Sequence, residues 1–149
     1  MDHRGPGLGR RDRAGSGAAA ESVDVRIDDE WSFAETLRHL VHAIDVWLGK
    51  GVLGLEEADF HPLGLGHGSS LSEARTYYDV LAARADRAAM VRDFLATVTD
   101  EVLHEERRNP HNPADAGTVR QCLHVILEES WEHLRFALRD LDAIESLIV

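Results

Sequence analysis

Apolar residues recur at helical spacing along three stretches of this 149-residue chain, and this periodicity constrains its fold more than any other feature. The stretches cover about residues 33–48, 71–99 and 118–146. A repeat near 3.6 residues places apolar side chains on one face of an α-helix, and that face has to be buried against other helices. The sequence therefore predicts an all-α, up-and-down helical bundle with three long helices.

Capping boxes begin all three stretches, at residues 32–35, 70–73 and 118–121. In this motif a hydroxyl group and a carboxylate or amide satisfy backbone N–H groups that the first helical turn leaves unpaired. The second helix is predicted to break near residues 99–100. No strand is predicted elsewhere than at residues 23–27, where alternating polarity indicates at most a short extended segment.

Helical wheels predict which side chains of each stretch face inward. On the first helix, His42 shares a polar face with Glu35, Arg38 and Asp45, whereas His39 lies beside a weaker apolar stripe and is predicted to point inward. The predicted seam of the second helix is Leu71, Ala74, Tyr78, Leu81, Ala85, Ala88, Leu95, Val98 and Val102. The predicted buried stripe of the last helix is Val119, Leu123, Ile126, Leu134, Ala137, Leu141, Ile144 and Ile148.

Glu129 and His133 place a carboxylate and an imidazole four residues apart on the last helix. This spacing stacks the two side chains about one turn apart on one face, close enough to share a divalent cation. Both project along the edge of the buried stripe, where a glutamate is costly to desolvate unless something pairs with it. A metal ion is one such partner, and an ordinary Glu–His contact on a half-exposed edge is the alternative.

Residues 49–69 form a long predicted loop with six glycines and several apolar anchors. A loop of this length and composition is typical of a segment packed across a cleft. His61 and His67 lie in it, either as solvated histidines without a role or, for His67 between two glycines, as a side chain that reaches a site. Cys122 lies two turns before Glu129 on the same edge, where it either packs in the core or modulates the site.

Composition and charge exclude several classes of function. The chain carries a net charge of −11, and because residues 1–20 hold an excess of two positive charges, the rest stands at −13 and would repel a phosphate backbone. No apolar run is long enough for a membrane span, and a single cysteine excludes an intrachain disulfide. We expect a cytoplasmic protein with no nucleic-acid or membrane partner, in which a disordered leader over residues 1–21 precedes one domain over residues 22–149.

The sequence resembles the DinB-like superfamily over roughly residues 22–146, nearest to its actinobacterial branch. The resemblance rests on WSFAETLRHL at residues 31–40, EESWEHLR at 128–135 and RDL at 139–141. Members are four-helix bundles that bind one divalent metal, and they include bacillithiol transferases and mycothiol-dependent maleylpyruvate isomerases. The resemblance implies that His39, Glu129 and His133 are metal ligands, a set suited to Zn²⁺ or Ni²⁺ with open coordination positions.

The resemblance further implies a metal-dependent S-transferase or isomerase that acts on a small-molecule substrate and uses mycothiol or another low-molecular-weight thiol. The ion would lower the pKa of a bound water or hold a thiol as its thiolate, and residues 49–69 would cover the substrate pocket. Two alternatives stay open. One is a non-catalytic bundle that binds a ligand or a protein, with Glu129 and His133 only paired, and the other is a truncated fragment without activity.

One departure from the family concerns its long first helix, for which the Gly- and Arg-rich residues before Trp31 offer no counterpart. A bundle that lacks this helix would expose a large apolar stripe. The sequence therefore predicts either a truncated chain or a partner that fills the groove, with a homodimer as the simplest case.

Overall fold

The computed structural model of the chain describes residues 22–69 and 76–148 and confirms an all-α helical bundle. Within this described part, three α-helices are long and one is short. In chain order the elements are α1 (Phe33–Ile44), a π-helical segment (Asp45–Lys50), a 3-10 turn (Glu57–Asp59), α2 (Tyr77–Thr97), α3 (Asp100–His104), β1 (Glu106–Arg108), β2 (Ala116–Thr118) and α4 (Val119–Ile148). None of the helices in these ranges combines the length and apolar character that a bilayer crossing requires.

The helix starts agree with the predicted capping boxes at two of three places. Ser32 and Glu35 form the full box at α1, and Thr118 and Gln121 exchange the same pair of bonds at α4. The predicted start of α2 near residue 71 is wrong, because Thr76 and Asp79 form the box that begins this helix at Tyr77. The motif at residues 70–73 lies outside the described residues.

The N-terminal expectations are tested only in part. Residues 22–30 contain turns closed by hydrogen bonds such as Val25 N–H to the Ser22 carbonyl, so the extended segment expected at residues 23–27 is not formed. The predicted leader at residues 1–21 lies outside the described range, and so does most of the segment before Trp31, in which the sequence offers no first helix.

A small antiparallel hairpin corrects the prediction that the chain has no further strands. Strands β1 and β2 pair with Arg107 opposite Gly117, and bends and a turn at residues 110–115 connect them. The sequence of β1, Glu-Arg-Arg, lacks the alternation that identifies a strand. Its pairing comes from closure of the connection between α3 and α4, where the Val119 N–H donates to the Glu105 carbonyl.

Helix α1 packs against both α2 and α4, and the main core lies around its C-terminal end. Ile44 and Leu48 are buried there against Cys122 and Ile126 of α4, with Met90 of α2 packed on the same cluster. Cys122 is a buried free thiol whose pKa is raised by burial. It therefore belongs to the core, as one of the two interpretations of this residue predicted.

The predicted seam of α2 is wrong at four of its seven described positions, and its first two residues, Leu71 and Ala74, lie outside the described residues. Tyr78, Leu81 and Leu95 are exposed, whereas Val80 and Ala83 are buried. The inward face of α2 is set by different contacts, which are an ion pair from Arg87 and the packing of Met90, Val91 and Phe94 on the core. On α4, the apolar positions Leu134 and Leu141 were also predicted to be buried and are exposed.

The polar face of α1 is buried rather than solvated, because residues from before and after the helix cover it. Glu35 pairs with Arg26, and Arg38 Nε donates to the Leu63 carbonyl at 2.9 Å. Asp45 is 1% exposed. Its Oδ1 accepts from Arg87 Nε at 2.6 Å and its Oδ2 from the His61 N–H at 2.8 Å. Asp45 thus ties α2 and the loop to the end of α1.

Replacing Asp45 tests this anchoring. We expect Asp45→Ala to lower the free energy of unfolding by about 3 to 5 kcal/mol, because it leaves the half-buried Arg87 charge without its buried partner. Asp86 also pairs with Arg87, but at the surface, so Asp86→Ala is the matched control and should cost less than about 1 kcal/mol. Urea unfolding of both variants measures the difference, and equal losses would contradict the anchoring role of Asp45.

Candidate metal centre

His39, Glu129 and His133 come together between α1 and α4. One potential ligand atom from each residue lies within 4.8 Å of the others. His39 Nε2 lies 3.2 Å from Oε2 of Glu129, although 90 residues separate the two in sequence. The His39 ring is buried, whereas Glu129 and His133 are half-buried, so part of the cluster is accessible to solvent.

Backbone carbonyls fix the orientation of both imidazoles. His39 Nδ1 lies 3.0 Å from the Leu65 carbonyl oxygen, and His133 Nδ1 lies 2.8 Å from the carbonyl oxygen of Glu129, one turn earlier on α4. A carbonyl oxygen only accepts, so each Nδ1 carries a proton and donates it. In the neutral rings both Nε2 atoms therefore carry a lone pair, which is the state in which histidine binds a metal.

The contact between Nε2 of His39 and Oε2 of Glu129 is favourable only if a proton or a cation lies between the two atoms. A lone pair on His39 Nε2 faces a carboxylate oxygen, and two acceptors at 3.2 Å repel unless a proton or a cation lies between them. Burial lowers the pKa of His39, which disfavours a second proton on this ring. The donor set therefore fits a cation better than it fits an isolated ion pair.

Trp31 and His67 cover the cluster. The Trp31 ring lies 4.6 Å from that of His39, centroid to centroid, and 6.3 Å from that of His133. His67 stacks on Trp31 at 4.8 Å and lies 4.7 Å from the His39 ring. His67 is exposed, but its ring lies against Trp31 and His39, as expected of the interpretation in which it reaches the site. The loop carries it there because Leu65, two residues earlier, is bonded to α1 through both its N–H and its carbonyl.

Two cavities adjoin the cluster from different sides. The larger, about 470 Å³, contains His39 and Glu129 in its wall and is here called the histidine cavity. Its lining is His39, His42, Ala43, Val46, Trp47, Gly66, His67, Ser69, His111 and Glu129. The smaller, about 280 Å³, lies on the His133 side and has Asp29, Glu30 and Asp140 in its wall. The cluster can thus be approached from an imidazole-rich side and from an acidic side.

Two histidines in the wall of the histidine cavity, His42 and His111, were not predicted from the sequence to lie at the site. His111 comes from the turn between β1 and β2, and its ring packs edge-on against Trp47 at 5.3 Å, in the wall of the histidine cavity. No local pattern could reveal this, because it depends on where the unpredicted hairpin lies. His42 was assigned to a solvated face, but the loop packs on it so closely that a Cβ on Gly66 would come within 3.0 Å of His42 Nε2.

The other histidine of the loop has a structural role. His61 accepts a hydrogen bond from the Leu63 N–H at Nδ1, 3.1 Å away, and its own N–H donates to Asp45. It therefore shapes the turn that brings Leu65 to His39, and its ring lies in neither wall of the two cavities.

Comparison with known proteins identifies a family. The family model described as the DinB superfamily matches residues 14–137 of the chain. No curated protein and no solved structure matches it significantly.

The burial of His42 predicts a dependence of stability on pH. Burial lowers the pKa of His42 below its ordinary value of 6.5, so the unfolded chain binds a proton at a higher pH than the folded chain does. The free energy of unfolding should therefore be highest above pH 6.5 and fall on acidification through that value. Urea unfolding between pH 7.5 and 5.5 measures this slope, which should be shallower in His42→Gln. The exposed His124 provides the control, and a His124→Gln variant with the same reduction would contradict the assignment to His42.

Proposed function

We propose, since the chain belongs to the DinB superfamily, that it is a divalent-metal-dependent enzyme in which His39, Glu129 and His133 bind the ion. The observation that carries the proposal is the contact of His39 Nε2 with the Glu129 carboxylate. The proton of the neutral His39 ring is on Nδ1, which donates it to the Leu65 carbonyl, so Nε2 has a lone pair free to bind an ion. Two imidazoles and one carboxylate are a ligand set suited to Zn²⁺ or Ni²⁺. Three protein ligands leave a coordination position for a reactant, as in catalytic rather than structural sites.

A thiol is the reactant that fits this centre best within the family resemblance. A divalent ion held by these residues would lower the pKa of a water or thiol that binds to it. We infer that the reaction is an S-transfer or an isomerisation with mycothiol or another low-molecular-weight thiol as co-substrate. Such thiols are kept reduced in the cytoplasm, which is the compartment we assign to the protein.

The protein's own residues orient the ligands and shape the substrate pocket. The Leu65 and Glu129 carbonyls hold the two rings in one tautomer, which lowers the reorganisation needed when a reactant binds. Trp31 covers the His39 ring and limits access of water. The histidine cavity, bordered by the loop residues Gly66, His67 and Ser69, has a volume in the range of small-molecule sites and is the substrate pocket in this proposal.

A metal titration tests the first part of the proposal. Isothermal titration of metal-free protein with Zn²⁺ should show one site, and His39→Ala, Glu129→Gln and His133→Ala should each weaken binding at least about tenfold, since each removes a ligand. His124→Ala, an exposed histidine on the same helix, is the control and should bind as the wild type does. Stoichiometric uptake that survives in His39→Ala and His133→Ala would refute this ligand set.

A thiol-dependence assay tests the second part. The zinc-loaded wild type is mixed with a small thiol, such as cysteine or mycothiol, and the electrophile chlorodinitrobenzene, and thioether formation is followed by absorbance. We expect a rate above the uncatalysed one that is lost in His133→Ala and retained in His124→Ala. Metal binding without any thiol-dependent turnover across several electrophiles would favour the non-catalytic binding module.

A further inference from the structure

Five apolar side chains of α4 form an exposed stripe that the fold of the described residues does not use. They follow one another at spacings of four, three, four and three residues, and the stripe is about 21 Å long at 1.5 Å per residue. Their exposed fractions are 67% for Leu127, 62% for Trp131, 49% for Leu134, 55% for Leu138 and 37% for Leu141. This apolar stripe is separate from the buried one of the same helix, to which Ile126 and Ala137 belong.

The spacing of the apolar stripe is that of a helix that packs lengthwise against another helix. An alternation of three and four residues keeps apolar side chains on one seam, so that they interlock with those of a second helix. An exposed continuous apolar surface of this kind marks an interaction site in a soluble protein. The chemistry of the partner follows from the charges beside the stripe.

Glu128 and Arg135 lie on the same flank of the stripe, seven residues apart, and both are exposed. In an antiparallel pair of α4 helices with Trp131 layered on Leu134 of the partner subunit, Glu128 would lie beside Arg135 of the partner subunit. The two-fold symmetry repeats this contact on the other side of the axis. Arg135 contacts Glu132 of its own helix at 3.3 Å, an exposed pair that is easily exchanged.

We propose that the apolar stripe of α4 binds the same stripe of a second copy of this chain, with the two helices antiparallel. The spacing of the stripe allows two copies to interlock along their length. The charges on its flank also match, because Glu128 of each copy would lie beside Arg135 of the partner subunit. This proposal does not rest on the metal centre, because Glu129 and His133 lie on a different face of α4 from the apolar stripe.

Sedimentation and light scattering of the full chain test the proposal. We expect the wild type to have twice the 16.6 kDa mass of one chain at micromolar concentration. The double variant Leu134→Gln/Leu138→Gln should raise the dimer dissociation constant at least tenfold. The control Leu147→Gln changes an exposed leucine of the same helix outside the stripe and should leave it unchanged. A monomeric wild type would overturn the proposal, as would a dimer that the double variant does not weaken.

A charge exchange tests the orientation with variants that leave the apolar side chains intact. Glu128→Arg and Arg135→Glu should each weaken the dimer, because each places like charges next to each other. The combined variant should restore the wild-type dissociation constant, since the pair is re-formed with reversed sign. Failure of the combined variant to recover would overturn the antiparallel arrangement.

Discussion

Buried polar groups need hydrogen-bond partners, and this requirement determines how the loop packs on the helices of this protein. Helix α1 and the π-helical segment after it place Arg38, His39 and Asp45 in the interior, and the backbone of the following loop forms hydrogen bonds with all three. Among the described residues no buried side-chain nitrogen or oxygen lacks a partner. The loop is therefore part of the core, and the orientation of the His39 ring is a result of the same constraint that holds the loop in place.

The candidate site could be predicted from sequence where its geometry is local. The spacing of Glu129 and His133 on one helix fixes their relative position, and the wheel of α1 identified His39 as facing inward. The convergence of all three came from the family resemblance, and the structure places them together. The contributions of Leu65, Trp31 and His111 could not be predicted, because each depends on how a loop or a hairpin packs on the helices.

The fold was predictable at the level of helices but not of their faces. Helix α4 carries two apolar stripes, and a wheel cannot tell which of them the core uses, so Leu134 was assigned to the core although the structure exposes it. On α2, Val80 and Ala83 are buried and Arg87, on the same face, pairs with the buried Asp45. This pair and the packing of Met90, Val91 and Phe94 on the core set the inward face, which the apolar spacing alone did not predict.

The long sequence separation within the cluster has a consequence for biosynthesis. His39 leaves the ribosome 90 residues before Glu129 does, which at ordinary elongation rates is a delay of roughly 5 to 18 s. During that interval the imidazole of His39, which is buried in the folded protein, cannot contact the Glu129 carboxylate. The three side chains can converge only after residue 133 has left the ribosome, so a cofactor that needs all three of them as ligands cannot be fully coordinated before that point.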